Sequence, residues 1–122
     1  MTFGETEPSE LRGGEAFSSL VPRSEVTFSR RELERILGLY GRKVAAGEWR
    51  DYAIDFLKDK AVFSIFRRSS EMPIYRIEKN PRLARRQGAY AVVSVTGLIL
   101  KRGHELDRVL RVLDPALNVV VN

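Results

Sequence analysis

The sequence predicts an α+β fold in which an antiparallel sheet of about five strands is covered by one long N-terminal helix and one shorter C-terminal helix. Three features predict this fold class. Short runs rich in β-branched and aromatic residues, separated by turn residues, fill the stretch from Asp51 to Arg102, a pattern typical of strands. Apolar residues at helical spacing precede this stretch, from Ser29, and follow it, from Gly103.

The length of the chain, 122 residues with 43% hydrophobic content, suits one domain with a single core. We expect residues 1–25 to form a disordered acidic tail, because they are rich in Gly, Ser, Glu and Pro and show no sustained hydrophobic period. Residues 26–122 are then expected to form a single α+β domain. The absence of cysteine, of a signal-peptide pattern and of a membrane-length apolar run favours a cytoplasmic protein that does not enter a membrane.

The first helix is predicted to begin after Ser29, which can form a capping box with Glu32. Val26–Phe28, just before it, is apolar enough for a short edge strand. Gly47 is placed to end the helix in a left-handed conformation that a Cβ disfavours. The helix face expected to lie on the sheet carries five apolar residues at helical spacing: Leu33, Ile36, Leu37, Tyr40 and Val44.

The strands are predicted from alternating apolar residues and from the turn residues between them. Five are expected, with the limits Asp51–Phe56, Ala61–Phe66, Ile74–Lys79, Ala89–Val95 and Leu98–Arg102. A second helix should run from Gly103 to Leu113, and Leu117–Val121 is apolar and β-branched enough for a last edge strand. The buried face of the second helix is predicted from a repeat of apolar residues: Leu106, Val109, Leu110 and Leu113.

Three stretches carry a resemblance to a known family: YGRKVAAGEWRDYAIDFLKDKAVFSIFRR, MPIYRIEKNPRLARRQGAY and GLILKRGHELDRVLRVLD. From Val26 to about Asp114 the sequence resembles a family of small bacterial proteins catalogued only as a domain of unknown function. That family has no assigned activity, cofactor or catalytic residues, so the resemblance implies none for any position of this chain.

The charge of the chain is unevenly distributed. Residues 1–25 hold five glutamates and two arginines, a net charge of −3, which leaves +8 on the remainder of a chain whose total is +5. A net positive charge of this size attracts anionic partners. No acidic residue occurs between Lys79 and Arg102, and arginine matches the geometry of phosphate and carboxylate groups. The predicted anion-binding residues are Arg82, Arg85, Arg86, Lys101 and Arg102.

Three aromatic residues are candidates for stacking on nucleic-acid bases next to this basic stretch: Trp49, Tyr75 and Tyr90. The two tyrosines fall on predicted strands, where aromatic side chains are more often part of the core. The basic stretch itself has two further interpretations besides polyanion binding, a protein-binding loop or an ordinary solvated loop.

The first predicted function is a non-enzymatic binding module that holds an anionic partner. RNA or DNA is the partner predicted first, and an acidic protein ranks behind them. The alternative is a regulatory adaptor that binds one protein through an exposed sheet face or edge. An enzyme ranks third, because the sequence shows no nucleophile in a catalytic pattern, no metal-ligand cluster and no cofactor loop. No catalytic residue, metal ligand or cofactor is therefore predicted, and His104, the single histidine, is expected to have a helix-start or packing role.

Overall fold

The computed structural model describes residues 25–68 and 72–114. Within these ranges five antiparallel strands form one sheet in the order β1-β2-β3-β4-β5, and two helices accompany it. The strands are β1 (Asp51–Phe56), β2 (Ala61–Phe66), β3 (Tyr75–Lys79), β4 (Tyr90–Ser94) and β5 (Ile99–Gly103). The helices are α1 (Arg30–Ala45) and α2 (Leu106–Leu110), and α2 continues as a 3₁₀ turn over Arg111–Leu113. The predicted α+β fold class is confirmed.

Each strand pairs with the strand that follows it in the sequence, so the sheet is a meander. The register places Phe63 opposite both Ile54 and Ile77, and Ile77 opposite Val92. Because directly paired residues share a face of the sheet, these apolar side chains form one continuous stripe across four strands. Together with Ala61 and Ile65 of β2, this stripe is the sheet's contribution to the hydrophobic core.

Helix α1 begins as the sequence predicts. The Ser29 hydroxyl accepts a hydrogen bond from the backbone N–H of Glu32 at 3.1 Å, and a carboxylate oxygen of Glu32 accepts one from the backbone N–H of Ser29 at 2.7 Å. This reciprocal arrangement satisfies two amides that the first turn of a helix leaves without intrahelical partners. The helix ends before Gly47, whose φ of 79° lies in the left-handed region, as predicted.

The buried face of α1 is narrower than the predicted one. Ile36 and Leu39 are buried, whereas Leu37 and Val44 are exposed. At 3.6 residues per turn, Leu37 and Val44 lie about 80–100° around the helix from Ile36, outside the stripe that contacts the sheet. The prediction was therefore wrong for these two residues and missed Leu39.

Helix α2 buries the predicted residues Leu106, Val109, Leu110 and Leu113. Its predicted start at Gly103 is wrong, because β5 extends to Gly103 and His104 lies exposed in the bend between strand and helix. Two ion pairs join the C-terminal elements to α1: Arg35 to Asp107 at 3.2 Å, and Arg42 to Asp114 at 3.1 Å.

The chain before α1 does not form the predicted edge strand. Val26 donates one backbone hydrogen bond to the carbonyl of Leu57 at 2.8 Å, and Phe28 is buried in the core. The predicted tail over residues 1–24 and the predicted strand Leu117–Val121 lie outside the described residues. In the described part of the chain, neither helix has the length and apolar composition that crossing a bilayer requires.

Gly88 and Gly103 bring two backbone segments into direct contact at one end of the sheet. Gly88 has a φ of 107°, and a Cβ built on it would lie 2.1 Å from the carbonyl carbon of Gly103. No side chain fits at that distance, so glycine is required at position 88 both for its conformation and for the close approach. The end of the β3–β4 loop is thereby held against the end of β5.

Replacing Gly88 by alanine should destabilise the fold more than the same change at Gly97. Gly97 also has a positive φ, 90°, but the space around it is open, so Gly97→Ala meets only backbone strain of about 1–3 kcal/mol. Gly88→Ala additionally has to displace the backbone of Gly103, for which we expect about 1–3 kcal/mol more. Urea denaturation measures both losses, and equal losses would contradict a required close approach at Gly88.

Candidate anion-binding surface

The loop between β3 and β4, residues 80–89, is held in a compact conformation by local hydrogen bonds. Its two ends are joined by the backbone bond from Asn80 N–H to the Ala89 carbonyl at 2.7 Å. The Asn80 side chain caps a short 3₁₀ helix (Pro81–Leu83) by accepting from the N–H of Arg82 at 3.2 Å. Gly88 N–H donates to the Leu83 carbonyl at 2.8 Å and closes the following turn. We call residues 80–89 the arginine loop.

Arg82, Arg85 and Arg86 lie on this loop and are exposed. Arg82 forms an ion pair with Asp59 of the β1–β2 turn at 3.4 Å, and its side chain remains 75% exposed. An exposed pair of this kind contributes about 0–1 kcal/mol, so it competes only weakly with a ligand anion. Arg85 and Arg86 make no side-chain hydrogen bond or ion pair within the described residues.

The end of β5 divides the remaining two predicted cations between opposite faces of the sheet. Arg102 pairs with Ala91 and donates a hydrogen bond to the Gly88 carbonyl at 3.3 Å, which places it beside the arginine loop. Lys101 pairs with the core residue Val92 and therefore projects from the helix-bearing face. The structure thus groups four of the predicted cations, and we call them the arginine surface: Arg82, Arg85, Arg86 and Arg102.

The three predicted stacking residues take part in packing. Trp49 is 4% exposed and belongs to the hydrophobic core. Tyr75 is half-buried, with its ring centroid 6.4 Å from that of Trp49. Tyr90 is also half-buried, and its hydroxyl donates a hydrogen bond to a carboxylate oxygen of Glu32. The ring of Trp49 offers no face to a nucleic-acid base in this arrangement, and none of the three rings belongs to the arginine loop.

Glu32 connects the start of α1 to the base of the arginine loop. Besides its role in the capping box, its carboxylate accepts hydrogen bonds from the Lys79 ammonium at 2.9 Å and from the Tyr90 hydroxyl. Lys79 and Tyr90 are the cross-strand pair at which β3 leaves for the loop and β4 returns from it. The Glu32 carboxylate therefore holds both the end of β3 and the start of β4, between which the arginine loop lies. Lys79 also donates a hydrogen bond to the Thr27 carbonyl at 2.9 Å.

The protonation states of Glu32 and Tyr90 support this connection. Burial alone would raise the pKa of Glu32, but the hydrogen bonds from Tyr90, Lys79 and the Ser29 amide outweigh it and lower the pKa of the carboxyl. Burial, together with the hydrogen bond to the negatively charged Glu32, raises the pKa of the Tyr90 phenol to about 12. The acceptor is therefore ionised and the donor protonated around neutral pH.

Apart from the capping box, no pattern in the sequence indicates the cluster that Glu32 forms with Lys79 and Tyr90. Glu32 lies 58 residues from Tyr90 and 47 from Lys79 in the chain. The residues were individually prominent as a cap residue, a basic strand residue and an aromatic strand residue. Their contact depends on the angle at which α1 crosses the sheet, which local patterns do not specify.

Residues 26–110 match the model of the family described as Protein of unknown function (DUF2794). The chain belongs to this family. The DUF2794 match extends over α1, all five strands and α2, so the arginine loop lies inside the family domain. The predicted resemblance to a family of unknown function is confirmed. No curated protein and no solved structure matches the chain.

Tyr90→Phe should lower the free energy of unfolding by about 1.5–3 kcal/mol, because it removes a hydrogen bond to an ionised carboxylate and keeps the ring. Tyr75→Phe is the matched control, since the Tyr75 hydroxyl makes no hydrogen bond within the described residues. Urea denaturation near neutral pH compares the two variants. Equal losses would show that the Glu32–Tyr90 bond adds no stability.

The stabilisation that Tyr90 provides should disappear in alkaline solution. Its pKa is raised from 10.0 to about 12 by folding, so the contribution is complete below the unfolded pKa and falls as the pH rises from there through the folded pKa. The difference in unfolding free energy between wild type and Tyr90→Phe should therefore be smaller at about pH 11 than at about pH 8. A difference that is the same at both pH values would contradict the raised pKa.

Proposed function

We propose that this DUF2794 protein is a non-enzymatic binding module that holds an anionic partner, RNA or DNA, on the arginine surface. The observation that carries the proposal is the exposure of Arg85 and Arg86 on a loop whose conformation is fixed at both ends. A fixed loop presents its guanidinium groups without a large loss of backbone entropy on binding. Arg82 and Arg102 extend the same surface toward β1–β2 and β5.

The charge of the described residues favours a polyanion over a single small anion. Residues 25–68 and 72–114 contain 19 lysines and arginines and 11 aspartates and glutamates, a net charge of +8. A field of this sign attracts the phosphate backbone of nucleic acids and accelerates encounter. Because the arginine loop carries no aromatic residue, we expect binding through phosphates with little preference for base sequence.

The double variant Arg85→Ala/Arg86→Ala should reduce the salt dependence of nucleic-acid binding. Two lost phosphate contacts should lower the slope of log K against log salt by about 1.4 for single-stranded RNA and about 1.8 for duplex DNA. Fluorescence anisotropy over a salt series measures the slope, and circular dichroism confirms that the variant is folded.

The matched control is Arg50→Ala/Arg67→Ala, which removes the same charge at the opposite end of the sheet. Arg50 precedes β1 and Arg67 follows β2, whereas the arginine loop adjoins the end of β1 and the start of β2 through the β3 pairing. The control should bind nucleic acid with the wild-type slope. Absence of binding by the wild-type protein at low salt, or equal slopes for the two variants, would refute the proposal.

A second candidate function is the protein-binding adaptor, which the sheet edge at β5 favours. On the face opposite α1, Val62, Ala91 and Val93 are buried, so that face offers little apolar surface. At the β4–β5 hairpin, by contrast, Leu98 is 63% exposed and Ile99 is 49% exposed. The edge, not the face, is the surface that suits this candidate.

For either function, a chain without cysteine suits the reducing cytoplasm.

A further inference from the structure

Strand β5 is an edge strand with an unusual surface. No described segment pairs with its outer side. Its first half carries exposed apolar residues, Ile99 and Leu100, next to Leu98 in the turn. Proteins normally protect such edges with charges, prolines or a covering element, because the unpaired N–H and C=O groups accept another strand. The exposed apolar start of β5 therefore suits a second strand.

A cleft of about 410 Å³ lies between the basic half of β5 and α2, and it is lined by Lys101, Arg108, Arg111 and Val112. No carboxylate is among these residues. Lys101 makes no hydrogen bond or ion pair within the described part of the chain. Arg108 pairs with Glu105 at 3.3 Å, but both side chains are largely exposed, so a ligand carboxylate can replace Glu105 at low cost.

We propose that the outer edge of β5 and the cleft beside it form a docking site for an acidic peptide segment in the extended conformation. The segment adds to the sheet as a sixth strand. Its carboxylates lie on the helix-bearing side against Lys101 and Arg108, in the cleft that Arg111 and Val112 also line, and its apolar side chains lie on the other side beside Ile99. This inference rests on the adaptor candidate and does not depend on nucleic-acid binding by the arginine surface.

The register of β5 supports the two-sided pattern of the ligand. Ile99 pairs with Val93, and Lys101 pairs with Val92, so the two side chains project from opposite faces of the sheet. The bulge between Val92 and Val93 produces this separation by inserting one residue between the two pairs. A docked strand alternates in the same way, which places every second side chain toward the cations.

The partner is a peptide because two of the three features that would recognise it are not features of nucleic-acid sites. An open strand edge recognises main-chain amides, and exposed leucine and isoleucine recognise apolar side chains. The third feature, the cluster of cations, selects acidic side chains by charge complementarity. The cleft lining contains no aromatic ring on which a base could stack.

The test uses the full chain and a fluorescein-labelled synthetic peptide in which valine and glutamate alternate, with a valine–lysine peptide of the same length as control. The acidic peptide should bind at low salt and the basic one should not. Lys101→Ala/Arg108→Ala/Arg111→Ala should weaken binding by about tenfold or more. Arg82→Ala/Arg85→Ala/Arg86→Ala removes the same charge from the arginine surface and should leave peptide affinity unchanged.

Hydrogen exchange separates strand addition from simple charge attraction. Binding of the acidic peptide should slow exchange of backbone amides in residues 99–103, since docking pairs groups to which no described segment of the chain bonds. Absence of binding, equal binding of the basic peptide, or binding without protection of β5 would each overturn the proposal. Protection that rises with protein concentration in the absence of peptide would assign the edge to a second copy of the chain instead.

The same variants keep the two proposals apart. If the wild-type protein binds nucleic acid and only the Arg82→Ala/Arg85→Ala/Arg86→Ala variant binds it more weakly, the proposed function is supported, whether or not the acidic peptide binds. If the Lys101→Ala/Arg108→Ala/Arg111→Ala variant binds a single-stranded RNA probe more weakly than the wild-type protein does, the cleft is a nucleic-acid site and the peptide proposal fails.

Discussion

The arrangement of the candidate surface depends on one partly buried carboxylate, that of Glu32. Glu32 accepts hydrogen bonds from the Ser29 amide that caps α1, from β3 through Lys79 and from β4 through Tyr90. A carboxylate with several donors remains ionised despite partial burial, and charge-assisted bonds are stronger than neutral ones. The start of the helix and the base of the arginine loop are consequently fixed by the same group.

Local features of the fold could be predicted from the sequence, because they depend on short-range physical chemistry. The capping box of Ser29 and the left-handed Gly47 are determined by neighbours within a few residues, and each strand begins and ends within one residue of its predicted limits. The buried face of α1 was predicted less well. Leu37 and Val44 are as apolar as the core residues, and only the crossing of α1 over the sheet decides which side is covered.

The candidate site was predicted only in part, because the positions of charged residues in the sequence do not specify where their side chains lie in the fold. Arg82, Arg85 and Arg86 are neighbours in one loop, and Arg102 joins them through a contact with Gly88 that no local pattern indicates. Lys101 precedes Arg102 in β5, and successive residues of a strand project from opposite faces of the sheet. Its position on the face opposite to Arg102 therefore follows from the assignment of β5. The burial of Trp49 depends on long-range packing against Tyr40 and Tyr75, which a stretch of sequence does not reveal.

The contact between Gly88 and Gly103 limits how the arginine loop can vary in length. Residue 88 is held against β5, and Asn80 is held to Ala89, so an inserted or deleted residue at either end would separate β4 from its partners. The exposed turn between them, which carries Arg85 and Arg86, is the part where an added residue disturbs the fewest backbone contacts. Relatives with loops of different length are therefore expected to differ in the number and spacing of their arginines, while keeping the sheet that supports them.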